Sequence, residues 1–437
     1  MKTRPVRIEN LLPGGKILAA AAASVTRHVS CSNIAVDRHP LEALVQQQIR
    51  PFRVGISGSY GGVNLGDEAI LDGILNQLRQ SLPVEVTVFS RNAADTLKRH
   101  NVEHAVSVRN LTRREVSPEV QRLDAFILGG GGILYDLDAE TYLREVFLAH
   151  EFGIPAMLYA ISAGPLSNPS ARAAVRKALN SAAVITVRDR QGYRLLEDVG
   201  VEREIQLTAD PALLVEPQKL SIDAIKAEGV EFERHLVGFS VREPGPAAPD
   251  INPEEYYALL ANAADFTVER LDADVVFVSM ERTDIQHSHA VVAHMRNAHR
   301  AEVLRRDYTA QQILSLVSHF EFMVGMRLHF LIFAASRGIP FTALPYASKV
   351  AGFLHDLGME APPLSSIGIG QLIARIDASW DRRAKIRAGI AKYLPTLLER
   401  ARTTNRLLVQ LLRDRSKLRK SRADHQDATR RLQSAAD

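Results

Sequence analysis

One cysteine, Cys31, stands in 437 residues. That excludes an intrachain disulfide framework and every Cys-clustered zinc or iron–sulfur site, and it suits a reducing compartment, so the cytoplasm is the expected location. A membrane-spanning run is missing too. The apolar stretch Ile17 to Val25 follows Lys2, Arg4, Arg7 and Lys16, but it has about half the length of a spanning helix. Glu9, Pro13 and the pair Gly14 and Gly15 break up its approach, so residues 1–50 read as an N-terminal extension and not as a secretion signal. An excess of one charge is lacking as well. The formal net charge is +4, and residues 411–437 alone carry eight Lys or Arg against four Asp, so the rest of the chain sums to zero. A protein that pairs broadly with nucleic-acid phosphates needs a basic excess in its folded part, and no nucleic-acid partner is expected here. No His-rich spacing, EF-hand loop or carboxylate cluster asks for a metal.

What is present is an ordinary globular composition, 46% hydrophobic and 24% charged, in a chain long enough for two domains. From Arg53 onward short apolar runs alternate with helical patterns, the signature of parallel βα units. Strands are expected at Arg53 to Ser57, Val84 to Phe89, Ala125 to Leu128, Ala156 to Ile161, Val184 to Val187 and Ile205 to Thr208. These six make one doubly wound, Rossmann-like domain over 51–215. The polar stretch 216–234 reads as a linker. A second series, Leu236 to Val241, Asp274 to Ser279, Glu302 to Leu304, Glu321 to Gly325 and Phe341 to Leu344, makes another such domain over 235–371. Residues 372–437 are a helical, increasingly basic extension. The expected class is α/β: two Rossmann-like domains in a GT-B-type architecture, with ligands in the interdomain cleft at the strand C-terminal edges.

Chemistry gathers at those edges. The segment Gly55 to Ile70 reads as a strand, a glycine-rich loop and a helix. The spacing of Gly61 and Gly66 imitates half of a Walker A loop, yet Asp67 and Glu68 stand where Lys and Ser or Thr are required, so no ordinary nucleoside triphosphate is held there. Asp67 is placed to cap the helix; the functional reading has Asn64, Asp67 and Glu68 bonding sugar hydroxyls. Four consecutive glycines, 129–132, follow a buried strand, and Gly130 and Gly131 are read as contacting a ligand. Arg188 ends the apolar strand Val184 to Val187 and either pairs with Asp189 or Asp210 or meets an anion; Arg242 holds the equivalent edge of the second half. Arg327 and His329 sit where a strand passes into an apolar helix, and with Lys349 on a following loop they outline a cationic pocket.

The set Gly62, Asn64, Gly66, Asp67 and Glu68, the glycine run, Arg188-Asp189, Asp210-Pro211-Ala212, Met326-Arg327-Leu328-His329, and Tyr346 with Lys349 resembles the polysaccharide pyruvyl transferase family over roughly 53–360. Gly192 departs from it, since the family commonly has Ser there, and this puts the local helix cap in question. The resemblance implies transfer of a pyruvyl group from phosphoenolpyruvate to two hydroxyls of one sugar, with release of phosphate and with no cofactor. Arg327, Arg188 and Lys349 would neutralise the donor, His329 would protonate its methylene carbon, and Asp67 would orient or deprotonate the acceptor. The acceptor would be a cell-surface or exopolysaccharide glycan, lipid-linked or nucleotide-linked, with the basic tail touching the inner face of the membrane weakly. A nucleotide-sugar glycosyltransferase and a non-catalytic carbohydrate- or lipid-carrier-binding protein are the alternatives that share the cleft.

Overall fold

The computed structural model describes residues 50–62, 64–245 and 250–434. The expected extension 1–50, with its apolar run, lies outside them apart from Arg50. Seven parallel strands form the first sheet: β1 Phe52–Ser57, β2 Val84–Ser90, β3 His104–Ser107, β4 Ala125–Leu134, β5 Ala156–Ala163, β6 Val184–Val187 and β7 Ile205–Leu207. Their spatial order is β3-β2-β1-β4-β5-β6-β7. The second sheet has five, β8 His235–Ser240, β9 Ala273–Phe277, β10 Ala301–Val303, β11 Phe322–Gly325 and β12 Phe341–Ala343, in the order β10-β9-β8-β11-β12. Both are parallel Rossmann-like sheets, and the architecture is of the GT-B type. Order reverses between β1 and β4 in one sheet and between β8 and β11 in the other, which is where ligands bind in open α/β sheets.

Two local differences from the sequence reading stand out. The short edge strand β3 was not expected, because its four residues, HAVS, are half-buried at best and carry no apolar run. Strand β4 does not stop at Leu128 but runs through all four glycines to Leu134, and it pairs with β5 along most of that length. The stretch 216–234 contains a short helix, Ile222–Lys226, capped by Ser221.

The two halves are fused at their base by one apolar cluster. It draws Leu71, Ile74 and Leu78 from the first half, Val276, Leu316 and Phe333 from the second, and Leu397, Leu408 and Leu412 from the long helix Arg383–Ser434. That helix is more than an extension. It returns to the first half, where Asn405 donates to the Gln77 carbonyl and the Ser81 hydroxyl and Arg400 donates to the Thr208 carbonyl. The helix Leu328–Ser336 is buried nearly all round, which explains its unbroken apolar sequence.

Candidate functional site

A cavity of about 300 Å³ opens at both order reversals at once. Ser59, Gly62, Asn64, Asp67, Arg91, Gly132, Tyr135 and Arg188 line it from the first half, and Glu281, Arg327, His329, Tyr346 and Lys349 from the second. Two helix N-termini converge there, Leu65–Ser81 after β1 and Leu328–Ser336 after β11. Their closeness depends on Gly66: a Cβ at that position would lie 1.9 Å from Nδ1 of His329. Any side chain there would force the His329 ring out of its place. Backbone also crosses the cleft, since Leu65 N donates to the Met280 carbonyl at 2.8 Å and Asn64 forms an isolated antiparallel bridge with Glu281.

The cap of the 65–81 helix is Asn64 and not Asp67: the Asn64 side chain accepts from the backbone N–H groups of Gly66 and Asp67. Asp67 sits within the first turn of the helix, at the cavity wall, with its carboxyl free of capping. Burial pushes that carboxyl above its usual range, against the opposing pull of His329. Glu68 corrects the reading as a sugar ligand. It is buried, its Oε1 accepts from Gly61 N at 2.9 Å, and its Oε2 accepts from His100 Nε2 at 2.7 Å. The other ring nitrogen of His100 donates to Asp72 at 2.7 Å. Glu68 therefore holds the glycine-rich loop in shape from beneath.

The glycine run divides in the same way. A Cβ on Gly130 would meet Ile70 Cγ2 at 2.4 Å, so this glycine allows the 65–81 helix to pack on β4 and is not a ligand contact. Gly131 has a φ of +94° and lies under Asp67, whose Oδ1 would be 3.3 Å from an added Cβ. Gly132 is the member that borders the cavity.

Arg188 is buried and donates through Nη1 to Asp210 Oδ2 at 2.6 Å. The same oxygen lies 3.5 Å from His329 Nε2, and Asp210 Oδ1 accepts from Ala212 N at 3.0 Å. Burial disfavours a charged Asp210, but Arg188 and then His329 outweigh it and hold the carboxyl far below its ordinary range. One carboxylate thus ties a residue at the end of β6 to one at the start of the 328–336 helix. Arg327 is held more firmly still. Its Nε and Nη2 donate to Asp284 at 3.0 and 2.5 Å, and Nη2 also lies 2.9 Å from Glu281 and 3.4 Å from Glu243. Burial raises Asp284 to about 6 in spite of Arg327. The guanidinium is oriented through two nitrogens, which leaves Nη1 for a ligand.

Arg242 stands behind the wall. Its guanidinium lies 4.4 Å from the ring centroid of Tyr346 and pairs with Glu243. Lys349 also approaches that ring, 5.8 Å from the centroid. Burial would raise the Tyr346 phenol, yet Lys349, Arg242 and Arg327 together bring it below its usual value. Near Gly192, the missing Ser is not needed: Asp189 caps the 190–199 helix by accepting from Gly192 N at 2.7 Å, with the glycine close against Ala163.

With this geometry in place, comparison with known proteins is decisive at the family level. The model of the polysaccharide pyruvyl transferase family matches residues 64–348. The chain belongs to that family. The matched span holds Asp67, Arg188, Arg327 and His329. The amylovoran biosynthesis protein AmsJ of Erwinia amylovora is 20% identical over 295 residues, covering 64% of this chain and 71% of AmsJ. Among solved structures, the UDP-GlcNAc 2-epimerase of Neisseria meningitidis bound to UDP-GlcNAc is similar with a TM-score of 0.53 at 10% identity, over 83% of this chain and 99% of the epimerase. HepE of Anabaena in complex with UDP and glucose gives 0.53 at 13% identity, over 83% and 100%. At such identities the likeness is one of fold.

The structure adds residues to this pyruvyl transferase family member's cavity that sequence reasoning passed over: Arg91, Tyr135, Glu281 and, behind Arg327, Asp284. For Arg91 a signal existed, because it directly follows β2 as Arg188 follows β6. Asp284 lies in a polar stretch with no motif to mark it. Among the described residues no group of three or more His, Cys, Asp or Glu is placed to hold a metal ion.

Proposed function

We propose that this protein transfers the pyruvyl group of phosphoenolpyruvate to two hydroxyls of one sugar in a cell-surface or exopolysaccharide glycan, forming a ketal and releasing phosphate. The observation that carries the reading is one cavity at both order reversals that Arg188, Arg327, His329 and Lys349 line together with Asp67. Membership of the family supports the same chemistry.

The donor brings a carboxylate and a phosphate. Arg327 offers Nη1 from a guanidinium already oriented by Asp284, and Lys349, beside the Tyr346 ring, adds an ammonium. His329 gives a proton to the methylene carbon, and positive charge builds at the neighbouring carbon. A sugar hydroxyl adds there and passes its proton to Asp67, whose raised pKa suits it to that transfer. The bond to the phosphate oxygen breaks, the second hydroxyl closes the ketal, and its proton leaves with the phosphate as hydrogen phosphate. One proton is thus consumed at carbon and two are released from the hydroxyls. No resident cofactor takes part. The reaction would occur in the cytoplasm, at the inner membrane face where the acceptor is carrier-linked.

The test is incubation with phosphoenolpyruvate and a panel of glycan acceptors, reading phosphate release and product mass. A product heavier by one pyruvate less water is expected. A product heavier by a sugar, formed from a nucleotide sugar and without phosphoenolpyruvate, would replace this reading with glycosyl transfer.

A further inference from the structure

Charge balance within the cavity is uneven. Arg188 is neutralised by Asp210, and Arg327 by Asp284, Glu281 and Glu243. Lys349 and Arg91 have no carboxylate within 4 Å among the described residues, and they belong to opposite halves. Arg91 is placed with care all the same. Its backbone N–H donates to the Tyr60 carbonyl at 2.9 Å, tying it to the glycine-rich loop. Its Nη2 donates to the hydroxyl of buried Tyr142 at 3.1 Å. Gly62 lies under its side chain, where an added Cβ would come within 3.4 Å of the Arg91 Cδ. The guanidinium is therefore steered across the loop by a neutral partner and keeps its full charge for something else. Asp67 interacts electrostatically with Arg91 and also with His329, Arg188 and Lys349.

We propose that Arg91 binds an anionic group of the acceptor, a phosphate or a carboxylate carried on or next to the sugar that receives pyruvate. The inference rests on the transfer reaction proposed above, in which Asp67 meets the acceptor hydroxyls. With Lys349 and Arg327, both of the second half, serving the donor, the remaining cation is Arg91, which belongs to the first half and is bonded to the glycine-rich loop that leads to Asp67. A guanidinium left bare there would oppose the positive charge that builds on the donor carbon, whereas an acceptor bringing its own anion removes that opposition. A sugar phosphate, a sugar diphosphate linked to a nucleoside or lipid, and a uronic acid all satisfy this chemistry; a neutral sugar does not.

The experiment is calorimetric binding to the full-length protein, saturated with phosphoenolpyruvate so that the donor's anion sites are filled. Glucose 1-phosphate, UDP-glucose and glucuronate are compared with methyl glucoside, and the corresponding galactose series is run beside them. The anionic member of at least one series should bind about 10-fold or more tightly than its neutral partner, and the phosphate and carboxylate arms tell which anion is preferred. Arg91→Gln should abolish that preference and Arg91→Lys should keep part of it, while both bind phosphoenolpyruvate as the wild type does. Equal affinity of charged and neutral sugars, no binding by any anionic probe, a preference that survives Arg91→Gln, or a loss of phosphoenolpyruvate affinity as large as that for the anionic sugars would each overturn the assignment. Absence of phosphoenolpyruvate binding by the wild type would strike the transfer reaction instead, and the sugar series repeated without the donor would still report on Arg91.

Discussion

His100 and His329 both meet carboxylates, under opposite conditions. His100 is buried with each ring nitrogen 2.7 Å from an acidic oxygen, on Asp72 and on Glu68, and Glu68 passes the restraint on to Gly61 N. Burial disfavours its charge, but the two carboxylates prevail and push it up to about 9. His329 has one carboxylate oxygen at 3.5 Å, already engaged by Arg188, and it faces a cavity. A histidine whose two nitrogens are both saturated can brace a loop but has no free position from which to pass a proton. One short of partners can take part in chemistry, provided the surrounding fold keeps its ring in place. Here Gly66 on one side and Asp210 on the other do so.

The largest effect should come from breaking the member that lines the cavity. His329→Gln is expected to lower turnover with phosphoenolpyruvate by about 100-fold or more, the usual contribution of a positioned acid, while calorimetry shows donor binding retained. His100→Gln should instead lower the melting temperature. Near-normal turnover in folded His329→Gln would remove that residue as the acid.

The second effect sharpens the comparison through pH. The native pKa of His100, about 9, lies above the unfolded value of 6.5. Its contribution to stability is therefore complete below pH 6.5 and lost as pH rises through 9. A pKa rise of that size corresponds to no more than about 3 kcal/mol. Denaturant melts between pH 6 and 10 should show this alkaline loss in the wild type and a flatter profile in His100→Gln; equal slopes would mean that His100 is not the group responsible.

Arg327 offers a third test, because it too is held by carboxylates yet faces the cavity. Arg327→Gln should weaken phosphoenolpyruvate binding by about 10-fold and also destabilise the fold, since buried Asp284 loses its partner. Adding Asp284→Asn should recover the melting temperature and leave donor binding weak. Recovery of both would assign Arg327 a purely structural role.

The smallest effects are expected from removing what the cavity does not use. Exhaustive chelation should leave turnover intact, and loss with EDTA that a divalent ion restores would refute the metal-free scheme. Truncation after Leu418 spares the buried Leu408 and Leu412 and should abolish only a weak, salt-sensitive binding to anionic liposomes; equal binding by the truncated and full-length proteins would exclude the tail as the contact. No helix among the described residues is long and apolar enough to cross a membrane.

Most of the fold was legible because parallel strands buried on both faces are written as uninterrupted apolar runs, as in Val184–Val187, whose ends agree with the sequence reading. The edge strand β3 escaped for the converse reason. Within the cavity, Arg327, His329, Arg188 and Lys349 were visible because each follows or closely trails a strand end. Asp67 was read both as a helix cap and as the group that meets the acceptor, and Asn64 as a sugar contact. That Asn64 is the cap could not be read from spacing, since Asn and Asp cap equally well and only backbone position tells which of them does.

The amino-acid sequence alone determined two doubly wound halves, the strand edges where cations collect, and a set of motifs specific enough to mark a family. These are properties of local pattern, and local pattern survives without knowledge of what lies across the cleft. The tertiary structure alone decided which charges remain available. Asp284, Glu281 and Glu243 neutralise Arg327 from elsewhere in the second half, Asp210 joins Arg188 to His329 between halves, and Glu68 turns away from the cavity to His100, 32 residues further on. Coulombic pairing acts through distance in space and not along the chain, so the same acidic and basic letters spell a bound ligand or an internal ion pair until their separations are known.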